Sequence, residues 1–253
     1  MEPTITLELP TYGLMVAVGL LFSIDVCGFR MKKYGYNPKL LLVVSVFILC
    51  GMAIGAKLLF FLTQLPHVFA DFSFGHLLDS CIQSGFVFYG GLIGAIAATA
   101  AAAKVLAIDG RTLRSFFAPA FALFHACGRV GCFFAGCCYG IPWEHGIAMA
   151  ETPDIPRFPV QLAESGVEII IFAALLFIEK KTDRYDLMKI YLLCYSVARF
   201  FLEFLRGDAI RGIWGFGLST SQYISIAVFF CCIIHTVLCS NKKDCPCSDR
   251  YPQ

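Results

Sequence analysis

Long apolar runs are the feature that most constrains how this chain folds. A bilayer core about 30 Å thick needs about 20 mostly apolar residues per helix. Lipid leaves only helices and closed barrels as spanning structures, and no alternating ten-residue barrel pattern is visible. We therefore predict an all-α polytopic membrane protein with about seven transmembrane helices. The predicted segments lie at 12–27, 40–62, 86–106, 113–129, 160–178, 188–205 and 219–238.

The composition excludes an ordinary soluble domain. Hydrophobic residues make up 58% of the 253 residues, and charged residues make up 15%. The mean hydropathy is +0.73. The fourth segment is the least apolar, because it contains Pro119, His125 and Gly128. We predict one transmembrane domain with short outer loops over 1–240 and a disordered cytoplasmic tail over 241–253.

The basic residues predict the orientation in the membrane. Fourteen of the 20 lysines and arginines fall in alternate connecting segments. By the positive-inside rule those segments are cytoplasmic, so the N-terminus is expected outside and the C-terminus in the cytoplasm. This use of charge gives no reason to expect a nucleic-acid partner. The fourteen are Arg30, Lys32, Lys33, Lys39, Lys104, Arg111, Arg114, Lys180, Lys181, Arg184, Lys189, Lys242, Lys243 and Arg250.

Six basic residues fall outside this pattern, most of them within or beside apolar segments. An ionisable group at that depth is costly unless it is paired or lines a wet cavity, so each is a candidate for a functional site. For Lys57 and Arg211 we favour an interfacial position or a structural ion pair. For Arg129 and Arg199 we favour function. The six are Lys57, Arg129, Arg157, Arg199, Arg206 and Arg211.

A charged strip is predicted on the sixth segment. Arg199 and Glu203 are four residues apart and Glu203 and Arg206 three apart, so they share one helix face. Such a strip has to face the bundle interior. It can hold one guanidinium in place while leaving donors free for an anion such as phosphate. A purely structural salt-bridge network is the alternative.

Two glycine-rich runs accompany these charges. Arg129 stands in CGRVGCFFAGCCYG at 127–140, where small residues end a helix and allow close approach of another group. An arginine at such a helix end suits a phosphate-bearing head group. The second run, YGGLIG at 89–94, is typical of tight helix packing, and we assign Gly94 to packing.

Several short motifs occur along the chain in a fixed order. Together they resemble the motifs of the prolipoprotein diacylglyceryl transferases of bacteria. The motifs are YGLM at 12–15, GAK at 55–57, YGGLIG at 89–94, GRVG at 128–131, PRFPVQLAE at 156–164, RFFLEFLR at 199–206, and Gln222 with Ser225 and Ile226.

The resemblance implies a reaction and its partners. Family members move diacylglycerol from phosphatidylglycerol to the thiol of the lipobox cysteine of a preprolipoprotein. The chain is accordingly expected in the bacterial inner membrane as a multi-pass protein, with its site open to the outer leaflet. Its expected partners are phosphatidylglycerol, the preprolipoprotein and membrane lipid, without a cofactor. The outer loop at about 140–160, with Trp143, Glu144, Glu151 and Asp154, is expected to meet the peptide.

The resemblance also implies roles for individual residues. Arg129 and Arg199 are expected to clamp the phosphate, Glu203 to orient them, and Tyr89 to stand at the position of the family's catalytic histidine. A second group is expected to bind substrate: Tyr12, Gly90, Gly91, Gly128, Arg157, Gln161, Glu164 and Arg206.

The chain departs from the family pattern at positions that matter for chemistry. The family's histidine is Tyr89 here, its signature asparagine is Cys132, and its glutamate is Cys137. Phe158 and Ala163 replace a histidine and a tyrosine of the Pro-Arg motif. A tyrosine is a poor base because its pKa is about 10 when unperturbed. Stabilisation of the substrate thiolate by arginine is one way to dispense with a strong base.

The departures concentrate cysteines around the signature. Cys127, Cys132, Cys137 and Cys138 are expected to cluster at the outer face. Their state, as thiols or as a disulfide, depends on the compartment. A metal site is not predicted, because no histidine accompanies them at ligand spacing, with His145 as a late candidate. An alternative function follows: a membrane thiol oxidoreductase, or a transferase that uses Cys132, Cys137 or Cys138 as redox group or nucleophile.

Overall fold

The computed structural model describes residues 11–70, 88–149, 152–181, 186–207, 213 and 217–241. Within these ranges the chain forms seven α-helices, one 3₁₀ turn at Glu203–Leu205 and a two-stranded sheet. The helices are α1 Thr11–Lys33, α2 Lys39–Ala70, α3 Phe88–Val105, α4 Gly110–Ala135, α5 Val160–Lys181, α6 Leu187–Leu202 and α7 Thr220–Asn241. The strands are β1 Pro142–Met149 and β2 Thr152–Arg157.

The helical class predicted from hydropathy is confirmed. Each predicted segment overlaps one described helix, and five helices (α1, α2, α4, α5 and α7) are long and apolar enough to cross a membrane. Large apolar side chains are widely exposed on them, as at Phe29 and Leu42, which are each 72% exposed. Lipid is the environment in which such surfaces are stable. Seven spans, and the sides on which the termini lie, stay predictions.

The fourth segment is more regular than its sequence indicated. Although Pro119 lies inside it, α4 runs unbroken over 26 residues and is one of the five span-length helices. Pro119, Ala118 and Ala122 are fully buried. Small side chains let neighbouring backbones approach closely, which compensates for the modest hydropathy of this helix.

The outer loop expected at about 140–160 contains the two strands. β1 and β2 pair antiparallel with an irregular register, in which Met149 lies opposite Thr152 and Pro142 opposite Arg157. Trp143 and Ile155 are each 44% exposed on this hairpin. The all-α description is therefore incomplete, because a hairpin separates α4 from α5. Glu151 and the predicted tail beyond 241 lie outside the described residues.

The chain divides into two compact units. The first unit comprises Met1–Arg30 and Ser115–Gln253, and the second comprises Met31–Arg114. The core of the first unit joins α4, α5 and α6 through buried residues of each helix. These residues are Ala118, Ala122, Ile171, Leu175, Leu187 and Tyr191.

The first unit also holds a buried ion pair. Arg30 Nη2 lies 2.6 Å from Glu179 Oε1, and the Arg30 guanidinium donates to the carbonyl oxygens of Ser115 and Phe116. Only 3% of Arg30 is exposed. Arg30 therefore ties α1 to α4 and α5, in addition to its place in the positive-inside pattern.

The second unit depends on close packing of α2 against α3. The two helices meet at glycines: Gly51 and Gly55 on α2 face Gly90 and Gly94 on α3. A Cβ atom at Gly94 would collide with the carbonyl oxygen of Gly51, and one at Gly90 with that of Gly55. Gly91 is different, since a Cβ there would lie 3.5 Å from Met52 O, an ordinary contact. Gly94 thus has the packing role that its motif predicted, and Gly90 also packs closely.

We expect Gly94→Ala to lower the stability of the protein, because the collision is with backbone and forces α2 and α3 apart. Overpacking of this kind costs about 1–3 kcal/mol. The apparent melting temperature in detergent measures the effect. Gly91→Ala on the same helix is the matched control and is expected to melt within a degree or two of the parent chain. Equal melting temperatures for both variants would contradict the packing described for Gly94.

Candidate functional site

A single buried carboxylate organises the polar interior of the first unit. Glu164, on the first turns of α5, is 1% exposed. Its Oε2 lies 3.1 Å from Arg129 Nε on α4 and 3.3 Å from Arg199 Nη1 on α6. Its Oε1 accepts a 2.9 Å hydrogen bond from the Tyr195 hydroxyl. We call these four residues the Glu164 centre. One carboxylate here faces two guanidinium groups.

A second carboxylate lies one helical turn further along α5. Glu168 is fully buried, and its Oε1 lies 2.6 Å from His125 Nδ1 on α4. The Tyr191 hydroxyl donates to the same oxygen at 3.2 Å. His125 Nε2 faces the Glu164 centre, at 3.9 Å from Glu164 Oε1. The polar network therefore continues from the Glu164 centre deeper into the helix bundle of this unit.

The predicted charged strip is present at the end of α6. Arg199 Nη2 lies 2.7 Å from Glu203 Oε2, and Arg206 Nε lies 4.0 Å from the same oxygen. Arg199 Nη2 also donates to the Ser221 hydroxyl of α7 at 3.3 Å. Arg199 is thus held between Glu164 and Glu203. An arginine held on two sides is already oriented for a further anion.

Arg129 is the less constrained of the two arginines. Within the described part of the chain, its guanidinium has the ion pair with Glu164 but no well-aligned hydrogen bond. The side chain is 16% exposed. Five donors in a planar fork make arginine suited to phosphate.

The segment after α4 is fixed by a set of backbone ties. Gln161, which is 1% exposed, donates from Nε2 to the carbonyl oxygen of Cys137 at 2.7 Å. Gly207 N donates to Tyr139 O at 3.0 Å, and Ile141 N donates to Leu205 O at 2.9 Å. These bonds join the end of α4 to the start of α5 and the end of α6. We call residues 127–140 the signature segment, and these bonds fix its backbone.

Three of the four predicted cysteines converge in this segment. The sulfur atoms of Cys132, Cys137 and Cys138 all lie within 4.8 Å of one another. We call these three residues the thiol cluster. The expectation that Cys127 joins them is wrong: Cys127 faces α1, where a Cβ added to Gly19 would collide with it. Positions 127 and 132 are about 140° apart around a helix, so they cannot share a face.

The thiol cluster has a distinctive local environment. Cys138 has a φ of 58°, in the left-handed region that residues other than glycine rarely adopt. Such strain persists where the surroundings fix the backbone, as they do here. The pKa of the Cys138 thiol is lowered, chiefly by a hydrogen bond with the Cys132 thiol and then by the charges of Arg206 and Arg129, which outweigh burial. The cluster therefore lies within the field of the arginines.

The remaining predicted residues divide between the two units. In the first unit, Tyr12 lies at the start of α1 next to Gly131, where an added Cβ would lie 3.2 Å from its ring. A Cβ at Gly128 would meet open space. Arg157 stacks over the Tyr139 ring at 4.4 Å and donates to Gly140 O at 3.2 Å, so it supports the signature segment.

The positions of the YGGLIG motif lie in the second unit. Gly90 and Gly91 are on α3, in the packing described above. Tyr89 belongs to the first turn of α3, and its side chain lies outside the described residues. Lys57 is half-buried on α2, and Arg211 lies outside the described residues. Their predicted roles stay predictions.

The sequence contained a signal for the residues that we did not predict. His125 and Arg129 are four apart on α4, Glu164 and Glu168 on α5, and Tyr191, Tyr195 and Arg199 on α6. Residues four apart lie on the same helix face, so each of these three apolar helices has polar residues along one face. We used this spacing for Arg199 and Glu203 alone. Applied to all segments, it indicates His125, Glu168, Tyr191 and Tyr195.

The fold and this site define a multi-pass helical membrane protein with a buried arginine–carboxylate centre. The family model described as prolipoprotein diacylglyceryl transferase matches residues 3–238. The chain belongs to this family.

Named relatives align over most of their length. A phosphatidylglycerol–prolipoprotein diacylglyceryl transferase of Clostridium tetani is 32% identical over 227 residues, covering 87% of this chain and 89% of the relative. A second, from Clostridium perfringens, is 32% identical over 229 residues, covering 88% of each chain. One from Nitrosospira multiformis is 28% identical over 246 residues, covering 89% of this chain and 81% of the relative.

We expect Glu164→Gln to destabilise the protein strongly, because it leaves two buried guanidinium groups without their shared counter-charge. Breaking a buried ion pair from one side costs about 3–5 kcal/mol. The apparent melting temperature in detergent should fall well below that of the parent chain. Glu144→Gln, at an exposed carboxylate of β1, is the matched control and should leave it unchanged. An unaltered melting temperature for Glu164→Gln would show that the ion pairs of Glu164 do not stabilise the fold.

Proposed function

We propose that this chain transfers the diacylglyceryl group of phosphatidylglycerol to the lipobox cysteine thiol of a preprolipoprotein, at the outer face of the bacterial inner membrane. One observation carries the proposal: Arg129 and Arg199 converge on Glu164, within 3.1 and 3.3 Å, in a protein of the diacylglyceryl transferase family. The substrates are those that the names of its relatives state.

The charge of the centre supports binding of a phosphodiester. Three arginines, Arg129, Arg199 and Arg206, lie around the two carboxylates Glu164 and Glu203. A phosphate diester supplies one negative charge. Charge-assisted hydrogen bonds from arginine to phosphate are stronger than neutral ones. We assign Arg129 and Arg199 to the phosphate, with Glu164 and Glu203 fixing their orientation.

The proposed chemistry is a substitution at carbon. The thiolate sulfur of the lipobox cysteine attacks the glycerol carbon that carries the phosphate, an S–C bond forms, and the C–O bond to phosphate breaks. Glycerol phosphate leaves with the electron pair of that bond. Negative charge moves from sulfur to the leaving phosphate, so arginines already positioned there stabilise the transition state more than the ground state.

Other parts of the unit fit the two substrates. Tyr12, 48% exposed at the start of α1, offers a hydroxyl beside the signature segment for the head group. The hairpin of β1 and β2 carries exposed apolar side chains, Trp143, Ile147 and Ile155, which suit an apolar peptide such as a lipobox. We propose seven spans with the N-terminus outside, which puts this hairpin at the outer face.

The oxidoreductase alternative has less in its favour. The relatives carry the name of a transferase. A thiol that the enzyme used as a covalent nucleophile would have to be replaced by the substrate thiol in a second step. Direct transfer needs one step and uses the arginines.

We expect the purified protein, given phosphatidylglycerol and a synthetic lipobox peptide in detergent, to form a diacylglyceryl thioether on the peptide cysteine. Mass spectrometry of the peptide measures the product. Arg129→Lys keeps the charge beside Glu164 but removes the planar fork, and we expect it to lower the rate about 10²-fold or more. Arg129→Ala and Arg199→Ala should abolish transfer.

The controls separate transfer from folding. Lys181→Ala changes an exposed cation at the end of α5 and should retain the parent rate. A peptide with serine in place of cysteine should gain no adduct. Absence of the adduct from folded parent protein would overturn the proposed function. Full activity of Arg129→Ala would overturn the role given to that arginine.

A further inference from the structure

The thiol cluster has the geometry of a metal site. Its three sulfur atoms lie within 4.8 Å of one another. Around a tetrahedral zinc ion with Zn–S bonds of about 2.3 Å, sulfur atoms are about 3.8 Å apart. Small side-chain rotations therefore suffice to close the three thiols around one ion. They come from the last turns of α4 and the segment that follows it, which the bond from Gln161 to Cys137 O holds in place.

The charges around the cluster favour a metal–thiolate complex. Three thiolates on a divalent ion carry a net charge of −1, and a fourth thiolate makes it −2. Arg206 forms a backbone bridge with Gly140, two residues after Cys138, and Arg129 lies three residues before Cys132 on α4. A cationic surrounding lowers the free energy of such an anionic complex. Cys138 holds its sulfur in position through a left-handed backbone conformation, with φ at 58°.

We infer that Cys132, Cys137 and Cys138 bind one thiophilic divalent cation, for which zinc fits best, and that its fourth position takes the thiolate of the substrate cysteine. Three protein ligands with one open position are the arrangement of a catalytic rather than a structural zinc site. No metal was predicted from the sequence, because no histidine lies at ligand spacing and His145 was only a late candidate. A three-thiolate site needs no histidine.

The substrate part of this inference rests on the proposed function. The lipobox thiol loses its proton to solvent when it coordinates the ion, because a metal lowers the pKa of a bound thiol. The bound sulfur then attacks the glycerol carbon, and the S–C bond forms as the C–O bond to phosphate breaks. No electrons are exchanged with the metal. The arginines bind the leaving phosphate beside the cluster. The metal would hold the attacking sulfur, so the two groups that act on the reaction lie next to each other.

The inference accounts for three departures from the family pattern together. Tyr89 replaces the family's histidine, and Cys132 and Cys137 replace its asparagine and glutamate. A base is needed to take the thiol proton only if the thiol has its ordinary pKa. A metal at Cys132 and Cys137 removes that need. The metal held by the thiols would then do what the histidine does in the family, which is to favour loss of the thiol proton.

The first test is metal content. The protein is purified in detergent under reducing conditions, incubated with zinc and separated from the excess. Elemental mass spectrometry should then find about one zinc per chain. Cys137→Ser should retain none above background. Cys194→Ser, at an exposed cysteine of α6, is the matched control and should retain the parent amount. Retention of zinc by Cys137→Ser would overturn the site, as would a disulfide within the cluster of freshly isolated protein.

Cobalt(II) gives a readout that does not depend on activity. Bound at the cluster, cobalt should show thiolate-to-metal charge-transfer absorption and the visible bands of a tetrahedral site. Addition of the lipobox peptide should alter both, while the serine peptide should alter neither. An unchanged spectrum with the cysteine peptide would overturn the open-position part of the inference and leave metal binding in place.

Activity then distinguishes this inference from the proposed function. Removal of metal with a chelator should abolish adduct formation, and added zinc should restore it. If metal-free protein forms the adduct at the parent rate, transfer stands and the role given to the metal in transfer is wrong. If zinc binds at the cluster but folded protein forms no adduct, the proposed function is wrong and the metal site stands.

Discussion

The attraction between one carboxylate and two guanidinium groups is the interaction on which the polar interior depends. Glu164 lies between Arg129 and Arg199, so it joins α5 to α4 and α6. In a helix bundle surrounded by lipid, an unpaired charge is far more costly than in water. The pairing therefore decides how three helices are oriented around their axes.

Local patterns in the sequence predicted a large part of this arrangement. Hydropathy located all seven described helices, because their length is a property of each segment alone. The pairing of Arg199 with Glu203 followed from helical spacing. The partner of Arg129 was beyond such reasoning, since Glu164 is 35 residues away and is brought to it by tertiary packing. We had assigned Glu164 to substrate binding, and its observed contacts are with the arginines.

Two further features show why the remainder was not predictable. Strand β2 reads TPDIPR, and its two prolines conceal the alternation by which strands are usually identified. The cysteines were expected as a group of four from their proximity in sequence. Cys127 lies on a different face of α4 from Cys132, so it is not part of the thiol cluster. The left-handed backbone at Gly136 and Cys138 brings the Cys138 sulfur to the cluster. Turn geometry of that kind depends on ties to distant segments, such as the bond from Gln161.

The order of the charged residues along the chain has a consequence for biosynthesis. Arg129 leaves the ribosome 35 residues before Glu164, and Glu164 leaves it 35 residues before Arg199. During that interval Arg129 lacks the counter-charge of Glu164, and an unpaired cation in an apolar segment is costly. We therefore expect the pair of Arg129 with Glu164 to form only after α5 has been synthesised, and the pair of Glu164 with Arg199 only after α6.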